Sequence, residues 1–402
     1  MEYATKPMAY DFSNVEKEKV QELRELIEPA VTDPESKDMP DTWKYAIRLK
    51  VYDMNQLLAQ YQANDNKFPD PEAFFKNQYD LVTYCETYNK LLNTPNEKGK
   101  LPLKEDEMKK EIQPIQTAAK SARTNLWIGA TNLVYTKPQE AVKMLDLYYE
   151  TLDNPLFDGL NLRETDKNLS DGYYTYAVAL KSTGGDEQKY VDYLLKALDS
   201  DNGALACQDL MTYYKEKGDK ANEQKYLAMG VEKFPGQITF AVNYIQNLIF
   251  SKDYTKAVEA ADKAIGNIES GVIPATNQNG EKVDANKWPY YFKAVALYNL
   301  DKLEDAYNAF VKAYEIEANF HNLSGAANCA ANLAQRNNKD KALANKWYDK
   351  AIELYEQCRT DYPDKDDVWG IQLYVCYNNK ASLNNSQEML KKAKPFEKYK
   401  TK

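Results

Sequence analysis

The sequence predicts an all-α fold of stacked antiparallel helix pairs, and three observations predict it. A helical-hairpin pattern recurs at a period close to 34 residues through the middle and C-terminal parts of the 402-residue chain. Within each unit, small and bulky residues alternate at the i, i+4, i+7 spacing of one helix face. Turn residues separate the paired helices, and proline follows several helix ends. Residues 290–318 show this best: Ala294 lies in a first helix, Leu300-Asp301-Lys302-Leu303 makes the turn, and Ala306, Phe310 and Ala313 line the second. The expected organisation is an N-terminal helical region over 1–121, repeats over 122–363 and closing helices with a lysine-rich tail over 364–402, stacked as one continuous solenoid.

Taken in order, residues 15–27 read as an amphipathic helix with Val20, Leu23 and Ile27 on its apolar side. A helix over 43–61 follows a cap at Asp41, and 71–92 is its hairpin partner. The stretch 105–120 contains Pro114, which removes a helical donor, so a kink or a fresh start is expected there. The first clear repeat holds Gly129, then Ala141, Leu145 and Tyr148. Tyr190, Leu194 and Ala197 mark the next. A Gly218-Asp219 turn, the facing pair Leu227 and Gly230, and Pro235 follow. Ala257, Ala261 and Ala264 come next, and Ala344, Tyr348 and Ala351 mark the last unit; helices over 367–377 and 385–394 close the stack. Two spacings, Ala141 to Tyr190 and Ala257 to Ala306, are 49 residues, which puts extra chain into 153–171 and 269–286. The second of these carries an Asn279-Gly280 turn signal and is the candidate for a small hairpin.

These residues resemble the tetratricopeptide repeat (TPR): a small residue in helix A, a Gly-Asp-like turn, Ala-x3-Phe/Tyr-x2-Ala in helix B and a closing proline. The resemblance covers about six units between Ala122 and Pro363, and departs from the pattern where tryptophan is mostly replaced and where Glu223 stands in an alanine place. It implies a right-handed superhelical solenoid whose concave wall comes mainly from the A helices. The runs DPESKDMPDTWKYA and NTPNEKGKLPLKEDEMKKEI, followed by helical units, are similar to exported repeat proteins of the Bacteroidetes. That likeness implies a periplasmic or cell-envelope location after removal of an export signal, which fits an N-terminus that opens on a charged run with no apolar core. Without it, the expectation is cytoplasmic.

Apolar residues at 43% and charged residues at 28% describe a folded chain, and a net charge of −9 argues against nucleic acid or an anionic membrane as the main partner. No stretch approaches the roughly 18 apolar residues of a membrane span. The five cysteines form no CxxC pair, so small buried slots are expected and a disulfide framework is not. After Leu390, six lysines face the single acid Glu397, the composition of a solvated end.

His321 is the only histidine, which excludes most catalytic constellations. His321 and Cys329 on one helix stand roughly 12 Å apart along the axis, too far for a nucleophile and its base. Gly184-Gly185 reads as a helix terminator. The acidic stretch 199–203 has glycine at the fifth place and no glutamate at the twelfth, so it fails the EF-hand spacing, and 361–367 reads as a capped turn. No enzyme activity, cofactor or metal site is predicted. A hydrolase would need a reactive pair of acids in a closed pocket.

Tyrosine is abundant at 32, mostly at packing positions. Placed by the TPR resemblance, the concave wall includes Gln208, Thr212 and Lys215, then Asn243 and Gln246, then Tyr291 and Tyr298. Such a polar-aromatic wall suits hydrogen bonding to an extended peptide or stacking on a sugar. The carboxylate clamp of family members that bind chaperone tails needs Lys and Asn at fixed helix A places; this chain has Leu126, Ala130, Tyr176 and Leu205 there. The expected function is a non-catalytic scaffold for a protein or peptide segment. The alternative is glycan capture, because outer-membrane starch-binding-type lipoproteins also build on such repeats; this chain shows neither their lipidated N-terminal cysteine nor their long insertions. An exposed aromatic cluster near the second stretched link favours sugar, a bare polar groove favours peptide. Oligomeric state is left open.

Overall fold

A computed structural model describes residues 12, 15–65, 67–68, 70–276 and 280–400. The chain divides into two compact units, Met1–Ala206 and Cys207–Lys402.

In the first unit, α1 (Lys17–Ala30), α2 (Pro40–Ala63), α3 (Pro71–Leu92), α4 (Glu105–Leu133) and α5 (Pro138–Glu150) are followed by the short α6 (Leu162–Thr165), then α7 (Leu169–Thr183) and α8 (Glu187–Ala197). Leaving α6 aside, each helix packs on the next, with α5 on α7. Val20 and Ile27 bury the apolar side of α1 against Ala46 and Leu49 of α2. The second helix opens three residues before the expected start. Pro40 takes the first helical position, where its missing N–H costs nothing, so Asp41 lies in the first turn and is not the cap. Asp70 does cap α3, its side chain accepting from the Ala73 N–H.

Pro114 produces no fresh start: α4 is a single helix of 29 residues. The carbonyl that loses its partner is that of Lys110, an exposed residue, so water can take the place of the missing donor. Gly129 sits on α4 where a Cβ would lie 2.7 Å from the Phe75 ring and 2.9 Å from Met144 Sδ, so only glycine allows three helices to meet there.

The first stretched connection is folded structure. Leu156, Phe157 and Leu162 are buried, and Gln116 Nε2 donates to the Leu156 carbonyl at 2.8 Å. Arg123 of α4, 3% exposed, forms an ion pair with Asp166. It also donates to Thr151 Oγ1 at 2.6 Å and to the Tyr148 carbonyl at 3.3 Å, and the Tyr148 hydroxyl donates to Asp166. Gly184 ends α7 in the left-handed conformation, as its place in the turn required.

In the second unit the helices are α9 (Gly203–Glu216, which spans the unit boundary), α10 (Lys220–Lys233), α11 (Ile238–Phe250), α12 (Tyr254–Glu269), α13 (Trp288–Asn299), α14 (Leu303–Ile316), α15 (Phe320–Arg336), α16 (Lys341–Asp361), α17 (Asp366–Asn384) and α18 (Gln387–Ala393). The marker residues Ala257, Ala261, Ala264, Ala294, Ala306, Phe310, Ala313, Ala344, Tyr348 and Ala351 are all buried, which is what small residues at close helix crossings achieve. Gly230 of α10 faces the buried Phe240 ring of α11, where a Cβ would lie only 2.3 Å away. All five cysteines are free and buried, filling the slots expected of them.

The second stretched connection holds an isolated antiparallel bridge between Thr276 and Lys282, with Ile273 buried and Asn286 Nδ2 donating to the Pro274 carbonyl at 2.8 Å. Of the predicted turn, Asn279 lies outside the described residues; Gly280 has φ +79°. The lysine-rich end departs from expectation. After α18 a 3-10 segment, Lys394–Tyr399, docks Phe396 and Tyr399 into the core, where Tyr399 covers Gly370. Apolar residues at every third position outweigh the lysines, of which Lys391, Lys392, Lys394, Lys398 and Lys400 remain at the surface.

Candidate functional site

The A helices of the second unit form the candidate site. Their phasing follows from the turns: Gly218, Lys252 and Asp301 all have positive φ, at +71°, +63° and +66°. Counting back equally from these three residues makes Gln208, Val242 and Tyr291 equivalent. Thr212, Gln246 and Val295 form a second set, and Lys215, Ile249 and Tyr298 a third. Asn243 lies one place on from the first set. Adjacent A helices pack side by side, α11 on α13 and α15 on α17. The Asn332 amide of α15 donates to the Tyr298 hydroxyl of α13 at 3.0 Å, linking the middle pair.

Gln208 and Lys215 are exposed on one face of α9, with the half-buried Thr212 between them donating to the Gln208 carbonyl at 2.9 Å. Asn243 and Gln246 are half-buried on α11, and neither side chain has a hydrogen-bond partner among the described residues. Tyr291 is partly buried against the α13–α14 core, in edge contact with Phe310 at 6.1 Å between centroids. Tyr298 is 39% exposed. The structure thus places the α11 and α13 residues on neighbouring helices.

Sequence reasoning missed Trp288 and Asn332. Trp288 opens α13 and is 39% exposed, directly after the second stretched link. Its ring is nevertheless engaged: Phe292 stacks on it at 5.7 Å, Tyr291 meets it edge-on at 6.0 Å, and the Lys287 ammonium lies 5.5 Å from its centroid. Its one-turn spacing from Tyr291 and Phe292 was the signal available in the sequence.

Other concentrations of titratable side chains are as follows. No group of three or more His, Cys, Asp or Glu side chains is placed to hold a metal ion among the described residues. His321 is exposed while Cys329 is buried, and burial pushes that thiol up to about 12. In the first unit Glu86 is half-buried with an unpartnered Oε1; burial, and then the charge of Glu150, lifts its carboxyl to about 7. Glu150 is exposed, so the two acids do not share an enclosed site. A cavity of about 450 Å³ between α10, α11 and α12 has Phe234, Ala241, Tyr244 and Ala264 in its walls, together with Glu232 and Lys263. No helix among the described residues is long and apolar enough to cross a membrane.

Fold and wall together define an all-α protein of tetratricopeptide-like helix hairpins that presents an A-helix surface. Among solved structures, the crystal structure of yeast Tom70 is similar at 15% identity and a TM-score of 0.31, covering 98% of this chain and 67% of that one. The TPR domain of P58(IPK) is similar at 14% identity and a TM-score of 0.23, covering 95% of this chain and 98% of that one. No family model and no curated protein matches the sequence.

Proposed function

We propose that the chain is a non-catalytic scaffold that binds a protein segment along the A-helix wall of its second unit. The observation that carries this reading is the pairing of unpartnered amides, Asn243 and Gln246, with the half-exposed Tyr298 on the adjacent helix. An amide offers two donors and an acceptor, and an extended segment presents the matching groups at regular intervals. The proposed location is the cell envelope, supported by the likeness of the N-terminal runs to exported repeat proteins; fractionation of the native cells tests it, and a purely cytoplasmic pool overturns it.

The glycan reading has one supporting observation, the exposed Trp288 beside the second stretched link. Against it, Phe292 and Lys287 already engage the Trp288 ring, and Tyr298 is held by Asn332, so neither of these two rings is a bare stacking platform. The test is a pull-down from envelope extract with the wild type and a Gln246→Ala/Tyr298→Ala variant of unchanged helicity. Loss of a captured protein from the variant is the expected result. Equal capture removes the wall assignment, and a neutral oligosaccharide bound in place of protein favours the glycan reading.

A further inference from the structure

The wall of the second unit is nearly free of charge, in a chain where 28% of residues are charged. Helix α11 carries no Asp, Glu, Lys or Arg. Helix α13 carries only Lys293, and α15 only Arg336; α17 has Asp366 and Asp367 in its first turn, and Lys380. By contrast α16, a B helix, alone carries eight charged residues. The three cations on α13, α15 and α17 are occupied: Lys293 pairs with Asp262, Arg336 with Asp301 and Lys380 with Asp349. In place of charge, α11 presents Asn243, Gln246 and Asn247 at i, i+3, i+4 spacing, all half-buried and all without side-chain hydrogen-bond partners among the described residues. Charge returns only at α9, with Asp209, Lys215 and Glu216.

From this we infer that the wall takes an uncharged, polar, extended peptide segment, rich in residues such as Ser, Thr, Asn and Gly. The inference rests on the wall being the partner site. A carboxylate or ammonium laid against α11 and α13 would lose hydration with no unpaired opposite charge to meet it. Unpaired amides have the opposite preference: left dry and unpaired they are costly, and a peptide backbone satisfies both their donors and their acceptor. Four A helices at roughly 10 Å separation span about 30 Å, the length of about nine extended residues. Because no ion pair forms, binding should be nearly insensitive to salt.

The test is panning of a phage-displayed library of short random peptides on the full chain, followed by affinities of selected synthetic peptides at low and high sodium chloride. Expected are peptides without net charge whose Kd changes less than about threefold with salt. Gln246→Ala and the milder Tyr298→Phe should each weaken them about tenfold or less, with helicity unchanged. Selection of acidic or basic peptides with steep salt dependence overturns the inference; if the wall variants abolish that binding, the wall still stands as the partner site. Uncharged peptides that bind both variants as tightly as wild type overturn the wall assignment itself. Enrichment of no peptide, or binding of a neutral oligosaccharide alone, overturns both.

Discussion

Substituting Asp166→Asn removes the charge that neutralises Arg123 while keeping the side chain's shape. Arg123 is 3% exposed and Asp166 9% exposed, so the guanidinium would be left buried without a counter-charge. Breaking a buried pair from one side costs about 3–5 kcal/mol. Thr151 Oγ1 and the Tyr148 carbonyl still accept from Arg123, which puts the expectation at the lower end, about 3 kcal/mol. That corresponds to roughly a 100-fold larger population of locally opened chain. Because the chain has two compact units, a single melting temperature would not isolate the effect. Amide hydrogen exchange read by peptide resolves it: protection should fall about 100-fold in α4, α5 and α6, while α13–α16 stay unchanged. The double variant Arg123→Met/Asp166→Asn should recover most of the loss, since both charges are then gone. A change under about fivefold in Asp166→Asn would refute the reasoning, showing that Arg123 is hydrated or re-paired without Asp166.

Glu86 predicts a pH dependence of definite sign. Its folded-state carboxyl sits near 7, above the ordinary 4.5, so the fold favours the protonated form. Relative stability from this group is full below 4.5 and is lost as pH rises through about 7. Glu86→Gln should therefore stabilise the first unit by about 1 kcal/mol at pH 8, after allowing for solvent screening of a partly exposed group, and change little at pH 4. Hydrogen-exchange protection of α3 peptides at both pH values checks this, and equal effects at both would contradict it. Two glycines should respond oppositely to alanine. Gly230→Ala, with its Cβ 2.3 Å from the buried Phe240 ring, should destabilise by about 1–2 kcal/mol despite the gain in helix propensity. Gly266→Ala in α12, with nothing within 4 Å, should stabilise by about 0.5–1 kcal/mol. Chemical denaturation gives both signs. Tyr399→Ala should cost about 3 kcal/mol and lower hydrogen-exchange protection in α17, because the ring covers Gly370 and packs on Trp369; unchanged protection would mean that the C-terminal segment does not hold the last helix.

The hairpin markers were legible because a helix crossing imposes size directly on the residue at the contact. Ala257, Ala261, Ala264, Ala306, Ala313, Ala344 and Ala351 are buried, and Gly129 and Gly230 stand where a methyl group has no room. The helix start at Pro40, the continuity through Pro114 and the docked end at Phe396 and Tyr399 were not legible. Each is a contest between a local rule and its surroundings. The residue whose carbonyl loses its partner at Pro114, Lys110, is exposed, so water can replace the bond, and two aromatic rings outweighed a lysine-rich composition at the end. The wall shows the same division. Amides and tyrosines could be read from the chain, but their phase depended on the positive-φ turn residues Gly218, Lys252 and Asp301, which only coordinates reveal.

The sequence by itself determined the element type and the periodic small residues. These are local properties, carried by residue size and spacing along one helix. The tertiary structure alone decided that the first stretched connection is folded around Arg123 and Asp166, that the ring of Trp288 is engaged, and that Asn243, Gln246 and Asn247 have no side-chain hydrogen-bond partner among the described residues. Whether a polar group is paired depends on what other segments bring to it, and residues 43 positions apart, such as Arg123 and Asp166, carry no mark of each other until the chain has folded.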